Sequence, residues 1–565
     1  MVRRFLNFFQ RELTGLHEAA FLLGLSALLS QILALLRDRL LAASFGAGPA
    51  LDVYYAAFRV PDLLYVSLGS FVSVTVVLPF LIKQLESDRP ESASHLLADL
   101  FSRFLVLITL AALAAYFLMP HLLGWIAPGF NYAQQRELLP LSRLLLLSPI
   151  LLGLSSLFAN VTQSSRKFFL YALSPIFYNL GIIFGVIFLY PSWGLTGLVW
   201  GVLLGALGHL AIQWPALRRG PITFRWSAIW RHRSGEPGIW RKIFLLSWPR
   251  TITLSANQLV VTILLSFGSY LAVGSIAIFN FAYHLQSTIV AIIGVSYSVA
   301  TFPTLVRLFS AGDRRAFVNQ MTTTIRHIIF WSLPAIVLAI VLRAQIVRVI
   351  LGAGKFDWGD TRLTAAAMAV FLVSATAQSL ILLFVRGYYA CGQTKKPLII
   401  NLSSSILTVG LALGLQRLFN WWPAAKFGLA HFLRVGDLPG VELLILPTAF
   451  TLGTLINLLI LWGSFLFDFG SFPTKLHRSL GQSSAAALVA GGGAYLVLQL
   501  LALVVDQTTF FGIFIQGFSA GLVGILIGAI VLWRFNNEEI IEIGRSLRQK
   551  FWRRARPILS VTEEL

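Results

Sequence analysis

SQILALLRDRLLAASFGAGPALDVYYAAFRVPD, residues 30–62, joins two long apolar segments yet carries Arg37, Asp38, Arg39, Asp52, Arg59 and Asp62. An ionisable group at a bilayer centre costs several kcal/mol, so within a hydrophobic span it usually faces water or a charged ligand. If the flanking segments cross a membrane, this stretch is the first functional candidate.

The rest of the chain says that they do. Of its 565 residues 57% are apolar and 12% charged, and the mean hydropathy is +0.78, which excludes an ordinary soluble domain. The expected fold class is an all-α integral membrane protein. A span needs about 20 apolar residues, and by that measure about fourteen transmembrane helices are expected. They fall near 19–41, 53–82 with a kink at Pro61, 97–119, 138–161, 168–189, 195–216, 243–267, 276–305, 327–351, 363–385, 398–415, 443–466, 483–505 and 510–533. Residues 1–18, with Arg3, Arg4, Arg11 and Glu12 among bulky apolar residues, suit an amphipathic segment on the inner membrane surface, without the pattern of a cleaved signal peptide.

The formal charge of +21 does not point to nucleic acid, because Lys and Arg gather in short loops as the positive-inside rule requires. An even number of spans places both termini on one side, and the basic loops make that side cytoplasmic. They include Arg166 and Lys167, the 218–242 linker, Arg314 and Arg315, Lys395 and Lys396, Lys475 and Arg478, and the basic 534–565 tail. Lys355 and Arg362 in the ninth-to-tenth loop, and Arg417, Lys426 and Arg434 in the eleventh-to-twelfth, run against the rule. Cys391 is the single cysteine, so no intramolecular disulfide framework forms.

A repeat is visible. FGAGPALDVYYAAF at Phe45 matches FGSYLAVGSIAIFNFA at Phe267, VLPFLIKQLESDRPESA at Val77 matches TFPTLVRLFSAGDRRAF at Thr301, and QSSRKFFLYALSPI at Gln163 matches GQTKKPLIINLSSS at Gly392. The near-constant offset implies two six-helix lobes in parallel orientation, 19–217 and 243–466, joined by the basic linker 218–242. The two helices in 480–533 fall outside the duplication.

RDRLLAASFGAGPALDVYYAAFRVPDLL, the turn at Pro79, LGAGKFDWGDTRLT at Leu351 and GYYACGQTKKP at Gly387 resemble the MviN/MurJ lipid II flippases of the multidrug/oligosaccharidyl-lipid/polysaccharide exporter superfamily. The resemblance covers about residues 20 to 530. It implies fourteen helices, a central cationic cavity between two lobes, and a groove for a polyprenyl tail beside the last two helices. It also implies alternating access that carries a lipid-linked precursor from the inner to the outer leaflet of a bacterial inner membrane for peptidoglycan synthesis. The implied partners are a polyprenyl-diphosphate-linked glycan, membrane lipids and cell-wall synthesis enzymes. No cofactor is implied beyond coupling to a Na⁺ or H⁺ gradient or the membrane potential. The chain departs from the family where S-R-x-x-G-x-x-R-D becomes Ser30, Gln31 through Arg37, Asp38, where P-N-L-L-R becomes Pro61 through Tyr65, where A-E-G becomes Leu68, Gly69, Ser70, and where His284 follows Ala282 and Tyr283. Three family cations are thereby lost or weakened, which bears on the substrate rather than the fold.

A lipid diphosphate needs cations inside the protein, and Arg meets phosphate oxygens with paired, directed hydrogen bonds. The candidates are Arg37, Arg39, Arg59, Arg250 beside Pro249, His284 and Arg386. All but Arg59 have a plainer reading: snorkelling at a helix end for Arg37 and Arg39, a cytoplasmic interface for Arg250, an inner loop for Arg386, a hydrogen-bonded core histidine for His284. Asp38 either lines the cavity or pairs with a neighbouring arginine, and Asp52 either lines it or caps the second span. Ser255, Asn257 and Asn280 either ligate Na⁺ or bridge helices. Without a Walker A run, HExxH or a spaced Cys/His cluster, the sequence does not describe an enzyme. An exporter of amphiphilic small molecules and a non-transporting cell-wall scaffold are the alternatives.

Overall fold

The computed structural model describes residues 16–72, 77–78, 80–81, 90–165, 167–218, 239–542 and 544–545. The expected amphipathic start up to residue 15, Pro79, linker residues 219–238 and the tail beyond 545 lie outside the described residues. Among those described, the regular structure is helical throughout. In chain order the helices are α1 (Leu16–Phe45), α2 (Pro49–Ala57), α3 (Arg59–Gly69), α4 (Pro90–Ile126), α5 (Tyr132–Leu145), α6 (Leu147–Ser164) and α7 (Phe168–Phe184). They continue as α8 (Tyr190–Ala211), α9 (Trp214–Arg218), α10 (Ile239–Gly268), α11 (Ser275–Val290), α12 (Ser296–Ser310), α13 (Arg314–Val341) and α14 (Arg343–Leu351). The last are α15 (Trp358–Val373), α16 (Ala375–Ala390), α17 (Lys395–Trp421), α18 (Pro423–Phe432), α19 (Ile445–Phe469), α20 (Lys475–Ala502) and α21 (Phe510–Arg534).

Eleven helical segments among the described residues are long and apolar enough to cross a membrane. One of 49 residues, Phe169–Leu217, covers both the fifth and sixth expected spans, with a chain reversal at Gly194, whose φ of 58° suits glycine. The first two expected spans, α1 and the α2–α3 pair, are not among the eleven. The second is not one continuous long helix, and its break falls one turn before Pro61. It is interrupted at Phe58 and gives way to a 3₁₀ turn at Ser70–Val72. Pro61 sits in the first turn of α3, where a missing N–H is tolerated.

The chain divides into two compact units. One holds everything up to His284 with Ile350–Ala367 and Thr394–Gly453; the other holds Leu285–Val349, Met368–Gln393 and the chain from Thr454. In the first, Leu96, Leu100, Phe101 and Phe104 of α4 pack against Leu157, Phe158 and Val161 of α6. α7 and α8 touch closely enough that a Cβ on Gly181 would lie 2.2 Å from the Gly205 Cα. In the second, Phe465 stacks on Phe472 and meets Phe384 edge-on, while Ala490 and Ala494 of α20 pack against Leu338 of α13.

Candidate functional site

α11 is the element on which the site is built. Residues 277, 280 and 284 recur at three and four positions, so they share one stripe of the helix. The residue 38–59 stretch sets three ionisable groups against that stripe, all within the first unit.

Asp52, 3% exposed, accepts from the backbone N–H of Gly274 at 2.6 Å and of Ala277 at 2.9 Å. It therefore caps, but it caps α11 rather than its own helix. Gly48 occupies the N-cap of α2, and Asp52 lies one turn inside, leaving its carboxylate to meet the positive end of α11. Arg59, 6% exposed, opens α3. Its Nε donates to the Tyr55 carbonyl at 2.9 Å and its Nη2 to Asn280 Oδ1 at 3.1 Å. Asn280 is oriented for this by donating its own amide to the Ile276 carbonyl at 2.7 Å. Among the described residues Arg59 forms no ion pair.

Asp38, also buried, is bracketed. Arg37 Nη2 donates to its Oδ1 at 2.8 Å, and His284 Nδ1 lies 3.3 Å from its Oδ2. Arg37 Nη1 reaches on to Asn179 Oδ1 of α7 at 3.1 Å. Tyr55 links the two halves of the cluster: its ring meets the His284 imidazole edge-on at 6.3 Å, and its carbonyl holds Arg59. The structure thus brings together Arg37, Asp38, Asp52, Arg59, His284 and Asn280 along α11.

The other candidates lie elsewhere. Arg39 donates to the Ile350 carbonyl at 3.3 Å, near the C-terminus of α14. Ser255 shares a hydrogen bond of 2.8 Å with Ser67, and Asn257 is exposed. Asn280 instead spends its oxygen on Arg59. Arg250 belongs to α10, and its side chain lies outside the described residues. Arg386 donates to Ser298 at 2.7 Å within the second unit. Among the described residues no cluster of three His, Cys, Asp or Glu side chains could hold a metal.

Loops tie together one end of the cluster. Ala47 N–H donates to Asp360 Oδ2 at 3.0 Å, Lys355 N–H to the Ala43 carbonyl at 2.9 Å, and Gly129 N–H to Ser269 Oγ at 3.0 Å. Gly274 has a φ of +89°, and a Cβ there would sit 2.0 Å from the Ala47 carbonyl oxygen. Sequence reasoning missed Asn179, Tyr55, Asp360 and Gly274 as contributors. The signal for the last three was present, since Tyr55, Asp360 and Gly274 lie in the quoted runs FGAGPALDVYYAAF, LGAGKFDWGDTRLT and FGSYLAVGSIAIFNFA.

Comparison with known proteins agrees with this architecture. The family model for the lipid II flippase MurJ matches residues 41–438, well over half the chain. The "Probable lipid II flippase MurJ" of Rhizobium tropici is 28% identical over 386 residues, 66% of this chain and 71% of that protein. The "Lipid II flippase MurJ" of Burkholderia cenocepacia is 24% identical over 391 residues, 67% of this chain and 74% of that protein. Among solved structures, a lipid II flippase MurJ in an inward closed conformation shares the fold with a TM-score of 0.69 at 21% identity, covering 92% of this chain and all of that one. An inward-facing multidrug resistance MATE family transporter shares it with a TM-score of 0.60 at 14% identity, covering 77% and 94%. With its apolar helices and these relatives, the chain is a multi-pass bacterial membrane protein. It belongs to the lipid II flippase MurJ family, whose members are transporters rather than enzymes.

Proposed function

We propose that this protein moves lipid II, or a closely related polyprenyl-diphosphate-linked glycan, from the inner to the outer leaflet of the bacterial inner membrane for peptidoglycan synthesis, with both termini in the cytoplasm. The observation that carries this reading is Arg59. Its hydrogen bonds among the described residues go to a carbonyl and an amide oxygen, and the Asp62 carboxylate one turn along α3 acts on it without a direct bond, so the guanidinium is not closed off by an ion pair. Exchanging those neutral partners for phosphate oxygens gains charge-assisted hydrogen bonds, roughly twice as strong as neutral ones.

Arg37 is the second cation of the site, aimed between Asp38 and Asn179. Two of the places where relatives supply further charge are filled here by Gln31 and by Tyr65, whose hydroxyl shares a hydrogen bond with Ser156. The head group is therefore met by fewer cations, with Arg59 and Arg37 carrying the larger share. The lobes 19–217 and 243–466 rock about α11. The Asp52 cap and the Ala47–Asp360 bond hold the outer end shut until they break. Energy comes from an ion gradient or the membrane potential. Cell-wall synthesis enzymes receive the product.

The test is leaflet exchange of fluorescent lipid II in vesicles containing the full chain. Wild type exchanges the probe and Arg59→Ala does not. Exchange that survives Arg59→Ala would remove Arg59 from the route. Exchange of an amphiphilic dye but not of lipid II by the wild type would favour a small-molecule exporter.

A further inference from the structure

The Arg362, Arg434 and Lys426 charges that run against the positive-inside rule gather around α18, the short helix between α17 and α19. Lys426 is neutralised by Glu442 at 2.7 Å. Arg362 donates to Asp437 Oδ2 at 2.7 Å and to the Arg434 carbonyl. Behind them opens a cavity of about 560 Å³ lined by Arg362, Phe427, His431, Phe432, Arg434 and Asp437, with Gly436. That volume suits a small ligand. Two arginines line it against one carboxylate, which is already paired with Arg362, so its surplus formal charge is positive and its complement is an anion.

The surroundings say where that anion comes from. Trp421 closes the membrane-spanning helix Lys395–Trp421. Trp421, Trp422, Phe427 and Phe432 are all exposed. Tryptophans at the end of a span lie at headgroup depth, and α18 begins directly after Trp421 and Trp422. The cavity mouth therefore stands where phospholipid headgroups are. We propose that this cavity is a binding site for the phosphate headgroup of an anionic phospholipid, separate from the α11 cluster, which seats the α17–α18 corner in the membrane surface. Arg434 and His431 meet the phosphate, the Arg362–Asp437 pair forms the back wall, and Phe427 and Phe432 lie along the upper acyl chains.

The experiment uses the full chain in nanodiscs containing a photoreactive phosphatidylglycerol, with the crosslinked peptide mapped. Arg434 has a φ of 62°, so Arg434→Gly removes the side chain while favouring the observed turn. His431→Gln is an exposed substitution. Labelling should map to residues 427–437, fall about fivefold in Arg434→Gly and fall further in the double variant, with thermal unfolding unchanged. Photoreactive phosphatidylcholine should label the segment only at background. Equal labelling by both lipids, or undiminished labelling in the double variant, overturns the site. Loss of labelling on adding millimolar glycerol 1-phosphate shows a site for small soluble anions and overturns the lipid assignment.

Discussion

Arg59 and Arg326 are both largely buried arginines on helices, and they are held in opposite ways. Arg326 of α13 donates from Nε to Glu539 and from Nη2 to Glu538, both at 2.7 Å. Ser479 completes the arrangement by donating to the same Glu539 oxygen at 3.1 Å. Its charge is matched within the fold. Arg59 is offered two neutral oxygens as hydrogen-bond partners, with the Asp62 carboxylate one turn further along α3 acting on it at longer range. A buried charge costs several kcal/mol to desolvate, and Arg326 meets that cost with two directly bonded carboxylates while Arg59 does not. On the proposed function, the difference separates a cation kept for an anionic ligand from one used to fasten a helix.

The sharpest way to break the comparison is to delete each arginine and read two quantities. Arg59→Ala should lower lipid II exchange by roughly a hundredfold, the effect of removing one partner of a desolvated charge pair, while the melting temperature stays near wild type. Arg59→Lys should recover part of it, since an ammonium lacks the planar fork. Arg326→Ala should do the reverse. It strands Glu539, 2% exposed, and should destabilise by about 3–5 kcal/mol, read as an earlier thermal transition, with exchange per folded molecule unchanged. Replacing Arg326 and Glu539 together by Met and Leu should restore most of that stability, because no unpaired charge remains. If Arg59→Ala unfolds the protein and Arg326→Ala stops exchange, the assignments are reversed.

A smaller effect probes the end of the cluster tied by Asp52. Gly274→Ala must adopt a positive φ and push against the Ala47 carbonyl, at a cost of about 1–3 kcal/mol. That cost falls on the closed arrangement of the loops, so the population with the end open should rise. A cysteine introduced as Ala47→Cys in a Cys391→Ser background should then react faster with a membrane-impermeant maleimide. An unchanged labelling rate would mean that the Asp52 cap and the Ala47–Asp360 bond do not depend on the close approach at Gly274.

How much of this was legible beforehand follows from the physics of each feature. Apolar runs and the charge-bearing 30–62 stretch were legible because hydropathy and cost at membrane depth are properties of single segments. Asp52 was legible as a capping residue but not as the cap of α11, since only tertiary packing brings residues 52 and 274 together. The kink expected at Pro61 takes the form of a break one turn earlier, at Phe58, beside the Ala57 carbonyl that the proline's missing N–H leaves unbonded. The same limit hid the partner of Asn280, which read as either an ion ligand or a helix bridge and bridges α11 to Arg59 of α3. Charges against the positive-inside rule at Lys426 and Arg362 became intelligible only once Glu442 and Asp437 were seen beside them.

The smallest expected effect sharpens the other half of the comparison. The hydrogen bond from Arg326 holds the Glu538 carboxyl below its usual range. A carboxylate depressed in the folded state contributes stability that is complete above its unfolded value, near pH 4.3, and is lost as pH falls through the lower folded value. Glu538 is more than half exposed, so solvent screening limits the contribution to a few tenths of a kcal/mol. Glu538→Gln should therefore be less stable than wild type by that amount above about pH 5 and converge with it as pH falls below the folded value, so that the acid side of its stability curve is slightly flatter. A difference that persists unchanged at low pH would mean that the carboxylate's replacement acts through geometry around Arg326 rather than through its charge. Lipid II exchange should be the same in both proteins across that range, because the charge of Arg326 is still answered by Glu539.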